Sequence, residues 1–446
     1  MKIEIQDFRR YIIILLTVFT ATMIILSSDS MIVHIAVLFI LTVIAVLQSK
    51  FNFSHPYFWF SSFFFLYNCA YMIILIIAPQ DSAAKGYNTE CGFLIILALS
   101  VSLLLFNPHI YEFDYKLLPN PEKYEYDIKI LGSLMWLFLI IQIVTSFVLF
   151  RQGVTIKSVQ WKEHNMLWII ATYCTRFNAY ILAILVFMGD NLKKKIIVII
   201  CTLVMTLFFS LLTGERDAIL RLVIIFILCL AMIGKIRFKQ LLIIVPAGIA
   251  GMILLNYFKY YLRTGLLNRD TFTFSNTLYE FLYSDFVDCG SNLQVLTSHP
   301  ELRGCKGLGI IFADLLSSFA PARIMNLIYG NVTAWNMSEW YNDYFYRGST
   351  WSRAFTIVGE GYVIAGAFGV VIVFSLIGIL VRFLYKRACK NPYFAAVYIY
   401  SAVTIISSFR GDMATIFSFI VRTPVFLSVI IWFLKKILYR EHFSNL

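Results

Sequence analysis

The sequence predicts an all-α polytopic membrane protein of about twelve spans, with both termini in the cytoplasm and one large loop outside. Three observations predict it. The chain is 60% hydrophobic and only 14% charged, whereas charged residues make up about 25% of a soluble domain. Its apolar runs reach the ~20 residues that a helix needs to cross a bilayer. Its basic residues concentrate in alternate connectors, as the positive-inside rule requires. Lipid offers backbone amides no partner, so spanning segments are helices or a closed barrel. Runs such as Ile196–Thr213 are apolar all round rather than alternating, which favours helices.

In chain order the expected spans lie near 11–28, 31–48, 57–78, 92–107, 128–150, 166–189, 196–213, 218–234, 241–258, 361–381, 393–409 and 413–434. The first is too long for a signal-peptide core and lacks a small-residue cleavage site. The fourth is the shortest and stops at Asn107-Pro108. Lys2, Arg9 and Arg10, then Lys50, Lys116–Lys129, Lys193–Lys195, Lys235–Lys239, Arg382–Lys390 and Lys435–Arg440 mark the cytoplasmic connectors. The opposite short connectors carry few basic residues, apart from 151–165 with Arg151, Lys157 and Lys162. The net charge of +12 then reflects anchoring against anionic lipid and needs no nucleic acid.

The chain divides into a membrane part over 1–258, an outside loop over 259–352, and a second membrane part with a tail over 353–446. Two stretches of the loop read as helices. Asn276–Leu296 has an apolar face and Asn276 as a candidate N-cap. Leu308–Ile328 is apolar enough to lie on the bilayer surface or dip into it, with an interruption at Pro321. Helices that only close the mouth of the bundle are the alternative. The eight cysteines match no zinc spacing. Cys289 and Cys305 share the loop, either bonded or as separate thiols.

Arginines at the outer boundary are the sharpest chemical signal. Arg216 sits in the tight turn Gly214-Glu215-Arg216-Asp217, and Arg410 in Ser408-Phe409-Arg410-Gly411-Asp412. Arg263 follows the ninth span, while Arg347 and Arg353 precede the tenth. A guanidinium is always charged, and its planar fork of donors matches phosphate. A converging set would hold a diphosphate without a metal. For any one arginine the alternative is snorkelling, with pairing to Glu215, Asp217 or Asp412. Arg221 lies within a span and would extend the patch inward, whereas Arg176 and Arg422 fit structural pairs equally well.

The densest polar cluster includes Trp340, Asp343, Tyr344, Tyr346 and Arg347. Aromatic faces with polar edges suit sugar rings, and an interfacial aromatic belt is the competing account. Glu360, between two glycines at the mouth of the tenth span, is the candidate general base. A carboxylate favoured by the helix dipole would occupy the same place. His299 reads as incidental.

At these residues the chain resembles the bacterial O-antigen polymerases of the Wzy type. The likeness rests on the layout and on Thr213-Gly214-Glu215-Arg216-Asp217, Ala354–Tyr362 with Gly366 and Gly369, and Arg410-Gly411. The arginine-to-glycine loop spacing of some relatives is not matched. The resemblance implies a GT-C-like, inverting, metal-independent glycosyltransferase without a cofactor. It would move a growing glycan from undecaprenyl diphosphate onto the next lipid-linked repeat unit at the periplasmic face of the inner membrane. Arg216 and Arg410, then Arg263, match the positions that grip the diphosphates. The assignment of Glu360 as base and of Arg347, Arg353, Trp340, Asp343, Tyr344 and Tyr346 as substrate contacts rests on the residues themselves. The implied partners are undecaprenyl-diphosphate-linked oligosaccharides, membrane lipids and a chain-length regulator. An O-antigen ligase-like enzyme and a lipid-linked oligosaccharide flippase are the alternatives.

Overall fold

A computed structural model describes residues 5–77, 87–111, 124–152, 166–188, 196–213, 216–234, 286–348 and 353–438, with scattered positions between 236 and 282. All regular structure among the described residues is helical, without strands. The first eight helices are α1 (Ile5–Leu26), α2 (Met31–Gln48), α3 (Pro56–Ile77), α4 (Thr89–Leu105), α5 (Glu125–Arg151), α6 (Met166–Phe187), α7 (Ile196–Thr213) and α8 (Arg216–Met232). Seven described helices are long and apolar enough to cross a membrane: α1, α2, α3, α5, α6, and two near the C-terminus, Ile357–Ala388 and Met413–Leu438. Helices α4, α7, α8 and Pro392–Ser408 are apolar but shorter. The expected span 241–258 falls largely outside the described residues.

The loop folds into α9 (Val287–Thr297), α10 (Gly309–Phe319), α11 (Ala322–Tyr329), the single turn α12 (Val332–Trp335) and α13 (Met337–Phe345). The two expected loop helices are thus present in part. Asn276 and the start of the first lie outside the described residues, and the second breaks at Ala320-Pro321 as its proline requires. Helix α9 packs on α3 because Gly290 has no side chain: a Cβ there would lie 2.6 Å from Tyr71 Cβ and 3.2 Å from the Asn68 carbonyl. Cys289 and Cys305 are separate thiols, the first buried and the second exposed.

The last helices are α14 (Ile357–Ala388), α15 (Pro392–Ser408), α16 (Met413–Ile420) and α17 (Phe426–Leu438), with a π-turn at Val421–Val425 around Pro424. Asn391 caps α15 by accepting from Tyr393 N at 2.8 Å, with Pro392 in the first turn where no N–H is needed.

Helix α14 is not one rod. Ala365 and Gly366 leave helical geometry, with Gly366 at φ 62°. The chain doubles back there: a Cβ on Gly361 would lie 2.6 Å from Val370 Cα, and one on Gly369 would lie 2.0 Å from the Gly361 carbonyl oxygen. In a straight helix, positions nine apart would be separated by about 13.5 Å. The break orphans carbonyls, and the loop takes them up: Gly304 N donates to Tyr362 O at 3.1 Å and Lys306 N to Val363 O at 2.9 Å. The expected span 361–381 straddles this reversal. The long arm is 367–388, and 357–364 is a short buried arm.

Candidate arginine site at the helix mouth

The turn between α15 and α16 is held from every side. Phe409 is buried in an aromatic box of Phe60, Phe64 and Tyr67, with ring centroids at 5.2, 5.4 and 5.9 Å. Its carbonyl accepts from the Cys289 thiol at 3.3 Å and from Ile357 N at 3.4 Å. Burial pushes that thiol up, against the pull of the nearby Arg410 charge. Gly411 N closes the turn onto Ser408 O at 2.9 Å. Asp412 caps α16 by accepting from Thr415 N at 2.8 Å, and its other oxygen accepts from Ser338 on α13 at 2.8 Å. Arg410 therefore projects from a backbone pinned by α3, α9, α13 and the start of α14.

Arg410 lines a cavity of about 70 Å³ with Arg221, Tyr67, Phe63 and Ser407. That volume has room for a few waters, so a diphosphate requires it to open. Arg221 also lines an adjoining cavity with Arg176, Thr172, Thr175 and Tyr400. Between these two arginines stands Phe419 of α16, 3.9 Å from the Arg176 guanidinium and 4.3 Å from that of Arg221. Arg221 Nε is buried and has no hydrogen-bond partner among the described residues. Arg216 begins α8, about 7.5 Å along the axis from Arg221, and its side chain lies outside the described set, as do Glu215 and Arg263.

A second group gathers one layer out. Arg353 pairs with Asp288 at 3.5 Å, in the turn of α9 that also carries Cys289, and stands over the Tyr346 ring at 5.8 Å. Asn342 holds the Arg353 backbone at both ends, accepting from its N–H at 2.7 Å and donating to its carbonyl at 2.9 Å. Asn292, buried below, accepts from Tyr341 OH at 2.9 Å and donates to Ala354 O. By contrast, Arg347 pairs with Asp343 at 3.4 Å on the open surface of α13, where Tyr344 is also exposed. Trp340 leans on Tyr344 and takes the Lys306 ammonium over its ring at 4.8 Å. The structure thus joins Arg353 and Tyr346 to the Arg410 layer through α9, and places Arg347, Asp343 and Tyr344 on the exposed side of α13. His299 bonds back to Val295 O at 2.8 Å in its own helix end.

Glu360 is fully buried. Its Oε2 accepts from Met413 N at 2.7 Å, and it faces Asp314 of α10 and Asp412. Among the described residues no basic side chain forms an ion pair with any of the three. Neither Asp314 oxygen nor Glu360 Oε1 has a hydrogen-bond partner of good geometry. Like charges so placed cannot all be ionised. Burial, with Asp412 adding repulsion, holds the Asp314 carboxyl well above the ordinary carboxylate range. Sequence reasoning missed Asp314, Asp288 and Asn292. Asp314 had a readable signal: it is the one acid in an otherwise apolar helix, where a charge needs a reason.

The family comparison decides the class. A family model described as O-antigen polysaccharide polymerase Wzy matches residues 9–442, nearly the whole chain. The chain belongs to the Wzy O-antigen polymerase family. No curated protein and no solved structure matches it significantly. Membership in the Wzy family implies a multi-pass membrane glycosyltransferase that polymerises O-antigen repeat units carried on lipid, and the apolar helices described above suit that setting.

Proposed function

We propose that this Wzy-family chain transfers a growing glycan from undecaprenyl diphosphate onto the next lipid-linked repeat unit at the periplasmic face of the inner membrane. In this reading about twelve spans place both termini in the cytoplasm. The observation that supports it most is the shared cavity of Arg410 and Arg221, beneath a turn whose backbone is fixed. Cleaving a glycosyl–diphosphate bond builds negative charge on the leaving group. Preorganised guanidinium groups stabilise that charge without reorganising, and each charge-assisted bond is about twice as strong as a neutral one. The reaction inverts the donor carbon and uses no metal. Arg216 and Arg263 complete the grip on the two carriers. Arg353, with Tyr346 behind it, meets the first sugars, and Trp340, Asp343, Tyr344 and Arg347 meet the chain further out.

Glu360 is the candidate base. In this closed arrangement its carboxylate supports Met413, so taking a proton from a sugar hydroxyl requires it to turn out of the carboxyl cluster toward the cavity. A chain-length regulator would dock outside the site.

The test is a glycan ladder from cells carrying Arg410→Ala or Arg410→Lys, with the protein quantified in the membrane. Both variants should reach the membrane and lose long ladders, because an ammonium cannot reproduce the two-point grip. Full ladders in Arg410→Ala would refute the assignment. Surface lipid with no repeat unit at all in a deletion strain would favour a ligase or flippase.

A further inference from the structure

We infer that α10 and α11 form a re-entrant hairpin that dips into the outer leaflet of the bilayer, with acyl chains as the occupant of its apolar face. Helix α10 is amphipathic inside out. Its polar residues Asp314, Ser317 and Ser318 are buried against α16, and its outer face is Phe312, Leu315, Leu316 and Phe319, all exposed and all apolar. A helix lying under water would place its polar residues outward. Phe312 is 71% and Phe319 67% exposed, so this face lacks any protein cover.

The direction of travel follows from two contacts. Helix α10 packs along α16, which brings Asp314 within reach of the Asp412 charge at the start of α16. One turn further on, the Ser317 and Ser318 carbonyls accept from Arg422 NH2 at 2.6 Å and Nε at 3.2 Å. Arg422 is ten residues beyond Asp412, inside the candidate span Met413–Leu438. Counted along α10 from Asp314 or along α16 to Arg422, the tip at Ala320-Pro321 therefore lies about 9 to 15 Å from the level of Asp412, at 1.5 Å rise per residue. By Ser338, which bonds Asp412, the chain has returned. Lys306 Nζ donates to Thr333 O at 3.2 Å, closing the neck between the entering and leaving limbs.

This accounts for an arginine within a span. The end of a helix leaves carbonyls unpaired, and hydrocarbon supplies no water to satisfy them. Arg422 provides the donors. On the return limb, Met325 of α11 packs inward and Ile324, Leu327 and Ile328 are exposed, with Arg323 and Asn326 exposed beside them, so α11 rests at interface depth with the Arg323 guanidinium reaching back to the headgroups.

Fluorescence quenching tests the hairpin without reading polymerase activity, so its outcome is independent of the functional proposal. The full chain, with Cys201→Ser, Cys305→Ser and Cys389→Ser, receives a single reporter cysteine at Phe312, Phe319 or Leu327. Each is labelled with a small environment-sensitive dye and placed in phosphatidylethanolamine–phosphatidylglycerol nanodiscs containing acyl-chain-brominated lipid. Phe433→Cys in the last span is the positive control, and Glu339→Cys at the mouth the negative one. The Phe312 and Phe319 positions should lose most of their emission, as Phe433 does, while Glu339 keeps its own. Unquenched emission at Phe312 and Phe319 beside a quenched Phe433 overturns the inference. Energy transfer between labelled copies in that case would assign the face to a second copy of the chain.

Discussion

Gly369→Ala should damage this protein more than any other alanine substitution at the mouth. The new Cβ would lie 2.0 Å from the Gly361 carbonyl oxygen, where ordinary contacts begin at 3.4 Å and none fall under 3.0 Å. The two arms of α14 must therefore part by at least about 1 Å, backbone against backbone, with no flexible side chain to yield. Overpacking of this kind costs about 1–3 kcal/mol or more. If the short arm moves, the 2.7 Å bond from Met413 N to Glu360 stretches to about 3.7 Å, beyond hydrogen-bond range. The start of α16 and the Arg410 turn then lose a support. Gly366→Ala should follow Gly369→Ala, at about 1–3 kcal/mol, because φ 62° with ψ −141° is backbone that glycine alone adopts readily, with the Arg303 Cγ 3.0 Å from the added atom. Gly411→Ala, whose nearest neighbours lie at 3.5 Å, should be tolerated. Melting of the three purified variants in one detergent, beside their glycan ladders, gives the comparison. Melting of Gly369→Ala at the wild-type temperature with full ladders, or greater damage from Gly411→Ala, would refute the doubled-back geometry.

Glu360→Gln keeps an acceptor for Met413 N and should fold, whereas Glu360→Ala should be destabilised by an unsatisfied buried N–H worth about 1–3 kcal/mol. Lost ladders in a well-folded Glu360→Gln would support the base, and retained ladders would leave Glu360 a positioning residue. Asp314 holds a proton in the folded state that an unfolded chain releases above its ordinary value of 3.8. Its contribution to stability is therefore full below that pH and declines as pH rises toward the raised folded value, by up to about 1.4 kcal/mol per pH unit for one proton. Melting curves across that range should flatten in Asp314→Asn, and an unchanged slope would exclude the cluster as the cause. Arg221→Ala should reach the membrane and lose long ladders, as Arg410→Ala does, and an unaffected ladder would remove it from the grip.

The helical bundle was legible because hydrocarbon imposes one rule on every span, and a run such as Met31–Gln48 states it residue by residue. The break at Pro321 was legible for the same local reason. The reversal inside α14 was not. Gly359, Gly361, Gly366 and Gly369 are visible in the sequence, but glycine marks close approach without saying what approaches, and here the answer is the same helix returning. The expected span 361–381 consequently takes in the reversal without showing it. Arg221 was readable as an inward extension of Arg216 because the spacing is local. Its pairing with Arg410 across one cavity joins residues 189 positions apart in the numbering, which no periodicity encodes. The sugar-facing set split for a similar reason: Arg353 turns toward Asp288 of α9, while Arg347, six residues earlier, stays with Asp343 on α13.

Among the described residues the carboxyl cluster holds no cation, and the placement of acids and bases gives a reason. Asp314, Glu360 and Asp412 come from three segments, α10, the short arm of α14 and the α15–α16 turn, and a carboxyl kept protonated among them sits there without a counter-ion. A lysine or arginine in their midst would anchor them more firmly, but it would also leave the acids fully charged beside the turn that presents Arg410. Nearby negative charge would weaken a guanidinium's attraction for a diphosphate. Kept partly protonated, the cluster holds the backbone of that turn and adds less negative charge beside the cavity. The hairpin that carries Asp314 then borders the site: α10 packs along α16, whose first residue, Met413, is held by Glu360 and lies three residues from the arginine.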